Sequence, residues 1–206
     1  MKSLGEPLHQ ALFRTRQVDT CDPDLGESEL PGQGLNPNDE LMAADHLPIV
    51  ETHSATRVWR TEDDTDALAL ALARSPALRD AFIALQGDLG AGKTTFVRHL
   101  LRALGIAGRI KSPTYAVVEP HEAPDGLAIF HFDFYRFSDP REWEDAGFRD
   151  IFAGPGLKLA EWPENAAGRI PLADLAIKIE AMTDDTRTVT LRANTPRGTR
   201  LLADAA

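Results

Sequence analysis

Cysteine is nearly missing from this 206-residue chain, where Cys21 stands alone. No internal disulfide can form, and without a Cys/His cluster at zinc-like spacing a structural metal is not expected. This usage suits a reducing compartment, so a cytoplasmic location is expected. Long apolar runs are missing too. The longest, Ala67 to Ala73, falls far short of the ~20 residues of a membrane span, and the amino-terminal stretch has no uninterrupted apolar core like that of a signal peptide. A soluble, unexported chain without membrane contact is expected. Basic charge is also scarce: 22 Lys and Arg stand against 32 Asp and Glu, a formal net charge of −10. That balance disfavours unaided binding of nucleic acid, which depends on neutralising phosphates, so any RNA connection requires a basic partner.

What is present is a 43% hydrophobic composition, enough for one sizeable core. It is distributed unevenly. Residues 1–50 intersperse Pro23, Pro31, Pro37, Gly26, Gly32 and Gly34 with Asp19, Asp22, Asp24, Glu27 and Glu29, a composition that reads as a disordered extension. Residues 51–206 carry the expected domain.

Arg57 to Arg60 alternates like a strand, and Thr61-Glu62-Asp63-Asp64 resembles a capping box ahead of a helix ending near Ser75-Pro76. Ala81 to Leu85 is a compact apolar run, as expected of a strand buried on both faces of a parallel sheet. A glycine-rich turn follows, then a helix from Thr94 to Leu104 stopped by Gly105. Further strands are expected at Tyr115–Val118, Ile129–Phe134 and Leu157–Ala160, with a helix from about Ser138 to Gly147. Leu175–Ile179 and Thr188–Leu191 form a hairpin pattern around Thr183 to Thr186. The fold class is α/β: a three-layer P-loop fold with a mixed, mainly parallel sheet and a carboxy-terminal antiparallel hairpin.

Gly87-Asp88-Leu89-Gly90-Ala91-Gly92-Lys93-Thr94 satisfies G-x-x-x-x-G-K-[ST] directly after a buried strand and at the opening of a helix. A chance match is on the order of one in a hundred from glycine usage alone. Gly90 and Gly92 let the backbone turn its N–H groups toward phosphate oxygens, and the helix amino terminus adds partial positive charge. Lys93 should reach the β- and γ-phosphates, the Thr94 hydroxyl should take one position on magnesium, and Thr95 should lie near the α-phosphate. Asp88, Leu89 and Ala91 complete the nucleotide-binding loop. Magnesium also needs a strand-end carboxylate, and two are available: Asp133 after Ile129-Phe130-His131-Phe132, and Glu161 after Leu157-Lys158-Leu159-Ala160. Both are expected on strands flanking the P-loop strand, one orienting magnesium and the other water, in an order the pattern leaves open.

Other residues take plainer readings. His131 is expected to point away from the site and bond to backbone. Trp162 suits either core filling or a place beside the nucleotide. Tyr135-Arg136 suits a partner or phosphate contact as well as it suits covering the sheet edge. Trp143 reads as packing, and Arg102 and Arg109 as solvated surface.

With these residues in hand, the chain resembles the TsaE family, also called YjeE, over about Arg57 to Leu191. The resemblance rests on the P-loop through Thr95, then Lys111-Ser112-Pro113-Thr114-Tyr115, Val118-Glu119-Pro120 and His131-Phe132-Asp133-Phe134-Tyr135-Arg136. It continues through Asp139-Pro140 with Glu142, Gly147-Phe148-Arg149-Asp150 and Glu161-Trp162-Pro163-Glu164. It implies a slow ATPase that works with TsaD and TsaB proteins to place a threonylcarbamoyl group on the adenosine beside the anticodon, meeting tRNA only through that complex. It further implies that Thr94 and Glu161 are magnesium positions, that Asp133 lies near the γ-phosphate, and that Thr114 is a switch-like residue facing the nucleotide. Lys93, Asp133 and Glu161 are thus the expected catalytic residues, and Glu62, Thr65 and Arg187 match nucleotide-edge positions. Two other classes remain open: a small-molecule kinase, although no arginine-rich lid is visible, and a nucleotide-gated binding module in which hydrolysis is incidental. The first fifty residues have no counterpart in short family members, and Ala160 replaces a bulkier residue usual before the glutamate.

Overall fold

A computed structural model describes residues 53–137, Trp143 and residues 147–205; the expected extension over 1–50 and most of the expected helix after Ser138 lie outside them. Strand β1 (Ser54–Trp59) leads into helix α1 (Glu62–Arg74). The helix starts where expected because the Asp64 carboxylate accepts the backbone N–H groups of Arg60 and Thr61 at 2.7 and 3.0 Å. After a short turn at Pro76–Leu78 come β2 (Phe82–Gln86) and α2 (Lys93–Ala103). Then follow β3 (Val118–Glu122), β4 (Ala128–Asp133), the short helix α3 (Phe148–Ala153) and β5 (Leu157–Glu161). The hairpin β6 (Leu175–Ala181) and β7 (Arg187–Ala193) precedes a last helix, α4 (Pro196–Asp204).

Among the described residues the strands form one seven-stranded sheet in the order β1-β7-β6-β2-β5-β4-β3. The inner four strands are parallel, and antiparallel pairs close both flanks. The expected mixed sheet and carboxy-terminal hairpin are both present. β2 lies at the centre, and its alternation feeds two cores, as a doubly covered strand must. Ile83 and Leu85 pack with Leu68 and Leu72 of α1 and Phe96 and Leu100 of α2. Phe82 and Ala84 face an aromatic cluster that includes Phe132, Phe134, Trp143 and Phe148. Trp143 is the packing residue its sequence context suggested, with its ring centroid 5.5 Å from that of Phe148.

Two expectations are corrected. Tyr115–Val118 is not a strand: the Val117 N–H returns to the Pro113 carbonyl at 2.7 Å, and Val117 takes a left-handed φ of 65°. The segment is a turn, and β3 starts only at Val118. Asp133 and Glu161 do not both flank the P-loop strand, because of their two strands only β5 pairs with β2, while β4 lies one strand further out. The pattern of two apolar runs ending in carboxylates carries no strand order, so only pairing decides it. Gly147, at φ 67°, stands at the N-cap of α3, a helix not expected from the sequence, as α4 was not.

Candidate nucleotide-binding site

Strand β2 runs straight into Gly87, whose φ is 135° and where a Cβ would sit 2.1 Å from the Ile179 carbonyl oxygen. Only a residue without a side chain can pass so close to β6. The chain then turns through Gly90, reaches Gly92 in left-handed conformation at the N-cap of α2, and enters the helix. The first N–H groups of α2 have no intrahelical partner, and a helix start of this kind favours an anion.

A cleft of about 290 Å³ opens there, lined by Leu89, Gly90, Gly92, Lys93, Thr94 and Thr95 from the loop and helix. Ser112, Thr114, Asp133, Tyr135, Glu161 and Trp162 line its other side. Lys93 is buried, and its Nζ donates to the Gly87 and Asp88 carbonyls at 2.6 and 2.8 Å while lying 3.8 Å from the centre of the Trp162 ring. Burial pushes its ammonium below the ordinary lysine range, and the carboxylates of Glu161, Glu164, Asp133 and Asp88 oppose that shift. A cation held at the expense of its hydration gains by meeting a polyanion.

The Thr94 hydroxyl donates to the Glu161 carboxylate, with distances of 2.8 and 3.0 Å to its two oxygens. Glu161 is 2% exposed because the β2–β5 pairing sets it opposite Leu85. Asp133 stands level with Glu161 on β4. One of its oxygens accepts from the hydroxyls of Ser112 and Thr114 at 2.6 and 2.7 Å, and the other accepts from the Tyr135 N–H at 3.0 Å. The Ser112 and Thr114 hydroxyls also lie 2.9 Å apart, so Asp133 ties the 111–117 segment down beside the cleft.

Most of the expected site residues line this cleft, but Asp88, Ala91, Glu62, Thr65 and Arg187 do not. The Asp88 side chain is exposed and outside the cleft lining, although its carbonyl holds Lys93. Ala91 is buried in the core instead. Glu62 lies on α1, pairing with His99 Nε2 at 2.8 Å, and Thr65 is buried on the same helix; neither lines the cleft. Arg187 does reach the loop, donating from Nε to the Ala91 carbonyl at 3.0 Å. Trp162 resolves toward the site, in a left-handed conformation at φ 57° with its ring 5.0 Å from that of Tyr135. Arg102 and Arg109 are exposed, as read.

His131 overturns its expectation. It is 0% exposed, and its Nε2 lies 2.9 Å from Glu161 Oε1. Alternation alone placed it on the face shared with Asp133; the parallel β4–β5 register then set that face beside Glu161. Ser112 is a further site residue, donating to Asp133 at 2.6 Å. Its place two residues before Thr114 was the available signal, and only the fold brings both hydroxyls onto Asp133.

A glycine turn between a central parallel strand and a helix, with a buried lysine and a hydroxyl at the helix start, is the P-loop arrangement; the chain is a P-loop nucleotide-binding protein. Residues 59–189 match the family model described as threonylcarbamoyl adenosine biosynthesis protein TsaE. The chain is 44% identical over 119 residues to the tRNA threonylcarbamoyladenosine biosynthesis protein TsaE of Haemophilus influenzae, covering 58% of this chain and 74% of that one. It is 37% identical over 137 residues to the Bacillus subtilis protein of the same name, covering 66% and 84%. A crystal structure of Bacillus subtilis YdiB superposes with a TM-score of 0.62 at 28% identity, covering 75% of this chain and 95% of that one. The chain belongs to the TsaE family, whose members serve tRNA threonylcarbamoyladenosine biosynthesis. Among the described residues no helix is long and apolar enough to cross a membrane.

Proposed function

We propose that this chain is the ATP-hydrolysing subunit of the machinery that forms N6-threonylcarbamoyladenosine in tRNA, acting in the cytoplasm in complex with TsaD and TsaB proteins and meeting tRNA only through them. The observation that carries the ATP part is the Thr94–Glu161 pair at the opening of α2, 2.8 Å apart at its shorter distance. A hydroxyl and a buried carboxylate meeting beside an anion-binding helix start are hard oxygen donors of the kind magnesium takes when it shares its shell with phosphates. Bound there, magnesium would neutralise charge on the β- and γ-phosphates.

The chain's own groups divide the remaining work. Loop amides from Gly90 to Thr95 grip the phosphates, and Lys93 leaves the Gly87 and Asp88 carbonyls to neutralise them. Asp133, already an acceptor for three donors, is poised to orient the attacking water. Arg187 steadies the loop through Ala91. Nothing in this set is a strong base or a nucleophile, so catalysis rests on positioning and charge, which suits slow turnover without partners. The net charge of −10 supports contact with tRNA through partners.

The test is ATP hydrolysis by the chain alone and with TsaD and TsaB, for wild type and Lys93→Ala. Slow hydrolysis, raised by the partners and abolished by the substitution, is expected. Phosphate transfer to a metabolite without partners would replace this reading with a kinase. Full tRNA modification by a Glu161→Gln variant that binds but does not hydrolyse ATP would replace it with a nucleotide-gated module.

A further inference from the structure

Burying an imidazole in a sheet costs stability unless both ring nitrogens find partners. His131 is fully buried, and its Nδ1 has no hydrogen-bond partner among the described residues. Along its own strand the same face carries Ile129, and its register partner on β5 is Leu159, both fully buried. A leucine would fill this place without a stranded polar atom. Among the described residues the ring makes one hydrogen bond, to Glu161 Oε1 at 2.9 Å. A carboxylate only accepts, so Nε2 carries the proton and donates.

Glu161 therefore has two donors on its carboxylate. Thr94 reaches both oxygens and would itself turn toward a cation. His131 approaches Oε1 alone, from the neighbouring strand, and is held there by the β4–β5 pairing. A buried carboxylate fixed through one oxygen keeps its orientation when the hydroxyl changes partner. We propose that His131 is a positioning residue that orients Glu161 for the divalent cation bound with the nucleotide. This rests on the reading of Glu161 as a cation-binding residue.

The experiment is calorimetric titration of the full chain with the non-hydrolysable analogue adenosine 5′-(β,γ-imido)triphosphate, with magnesium and with EDTA. It compares wild type, His131→Leu and His131→Gln, each checked for its thermal midpoint. The glutamine amide can place a donor near the position of Nε2. In EDTA all three should bind alike. The gain in affinity from magnesium should fall at least about tenfold in His131→Leu and return in His131→Gln, while His131→Leu keeps or raises the midpoint. An undiminished magnesium gain in His131→Leu overturns the inference. So does loss of both binding and midpoint in the two variants, which would make the residue structural. A wild-type chain that binds equally well with and without magnesium instead sinks the cation reading of Glu161 itself.

Discussion

Thr94 and Glu161 lie 67 positions apart in the chain, yet the threonine hydroxyl sits 2.8 and 3.0 Å from the two carboxylate oxygens. The parallel pairing of β2 with β5 brings them together, since it sets the end of one strand beside the loop that follows the other. Glu161→Gln preserves shape and keeps a polar group for Thr94 but removes the charge. Hydrolysis should drop at least about a hundredfold, with affinity for the nucleotide in EDTA unchanged. Hydrolysis within a few-fold of wild type, measured as phosphate release, would remove Glu161 from the mechanism.

Two of the loop glycines, Gly87 and Gly90, should respond differently to alanine. At Gly87 the new methyl meets the Ile179 carbonyl at 2.1 Å, whereas at Gly90 nothing lies within 4 Å and only the φ of 82° is strained. Gly87→Ala should lose about 3 kcal/mol or more of stability, and Gly90→Ala roughly 1–2 kcal/mol. Urea denaturation separates them. Equal losses would mean that the approach to β6 does not limit Gly87.

Ser112 and Thr114 share one oxygen of Asp133 and contact each other. Each alanine substitution should cost about 1 kcal/mol, and the pair should be non-additive by at least about 0.5 kcal/mol. A double-mutant cycle with strictly additive losses would show that the two hydroxyls act separately.

Asp64 holds its carboxyl below the ordinary value of 3.8, chiefly through the backbone N–H groups of Arg60 and Thr61. A folded-state pKa lower than the unfolded one means that the unfolded chain binds the proton more tightly. The stabilisation is therefore present above pH 3.8 and disappears as the pH falls through the lower folded-state value. Asp64→Ala should melt earlier than wild type at neutral pH, and the two midpoints should converge on acidification. A gap that widens in acid would reverse the sign and refute the cap.

His99 of α2 is gripped from both sides by α1, with Nδ1 2.8 Å from Asp66 and Nε2 2.8 Å from Glu62. Glu62 is committed to a helix–helix contact outside the cleft. Glu62→Ala should leave nucleotide affinity within about twofold and lower stability by less than about 1 kcal/mol, a loss that shrinks in high salt. A large drop in affinity would instead return Glu62 to the nucleotide edge.

How much of this was legible beforehand follows the range of each interaction. β2, the P-loop and α2 were readable because alternation, glycine spacing and helical periodicity are local and contiguous. The capping of α1 by Asp64 is equally local and equally legible. The turn at Tyr115 to Val117 was misread because its β-branched and aromatic residues favour a strand, while a single contact from Val117 to Pro113 closes it. α4 escaped notice because its apolar side gains meaning only when Leu201 meets the core.

The amino-acid sequence on its own determined the chemistry on offer: a phosphate-gripping loop, a lysine, a hydroxyl and two carboxylates at the ends of apolar runs. It did so because each of those signals is written within a few consecutive residues. Only the tertiary structure decided which carboxylate lies beside the loop, that Asp133 is tied to Ser112 and Thr114, and that His131 turns to Glu161. Those outcomes depend on strand order and register, which arise from the free energy of the whole sheet packing against its helices and leave no mark on any single segment.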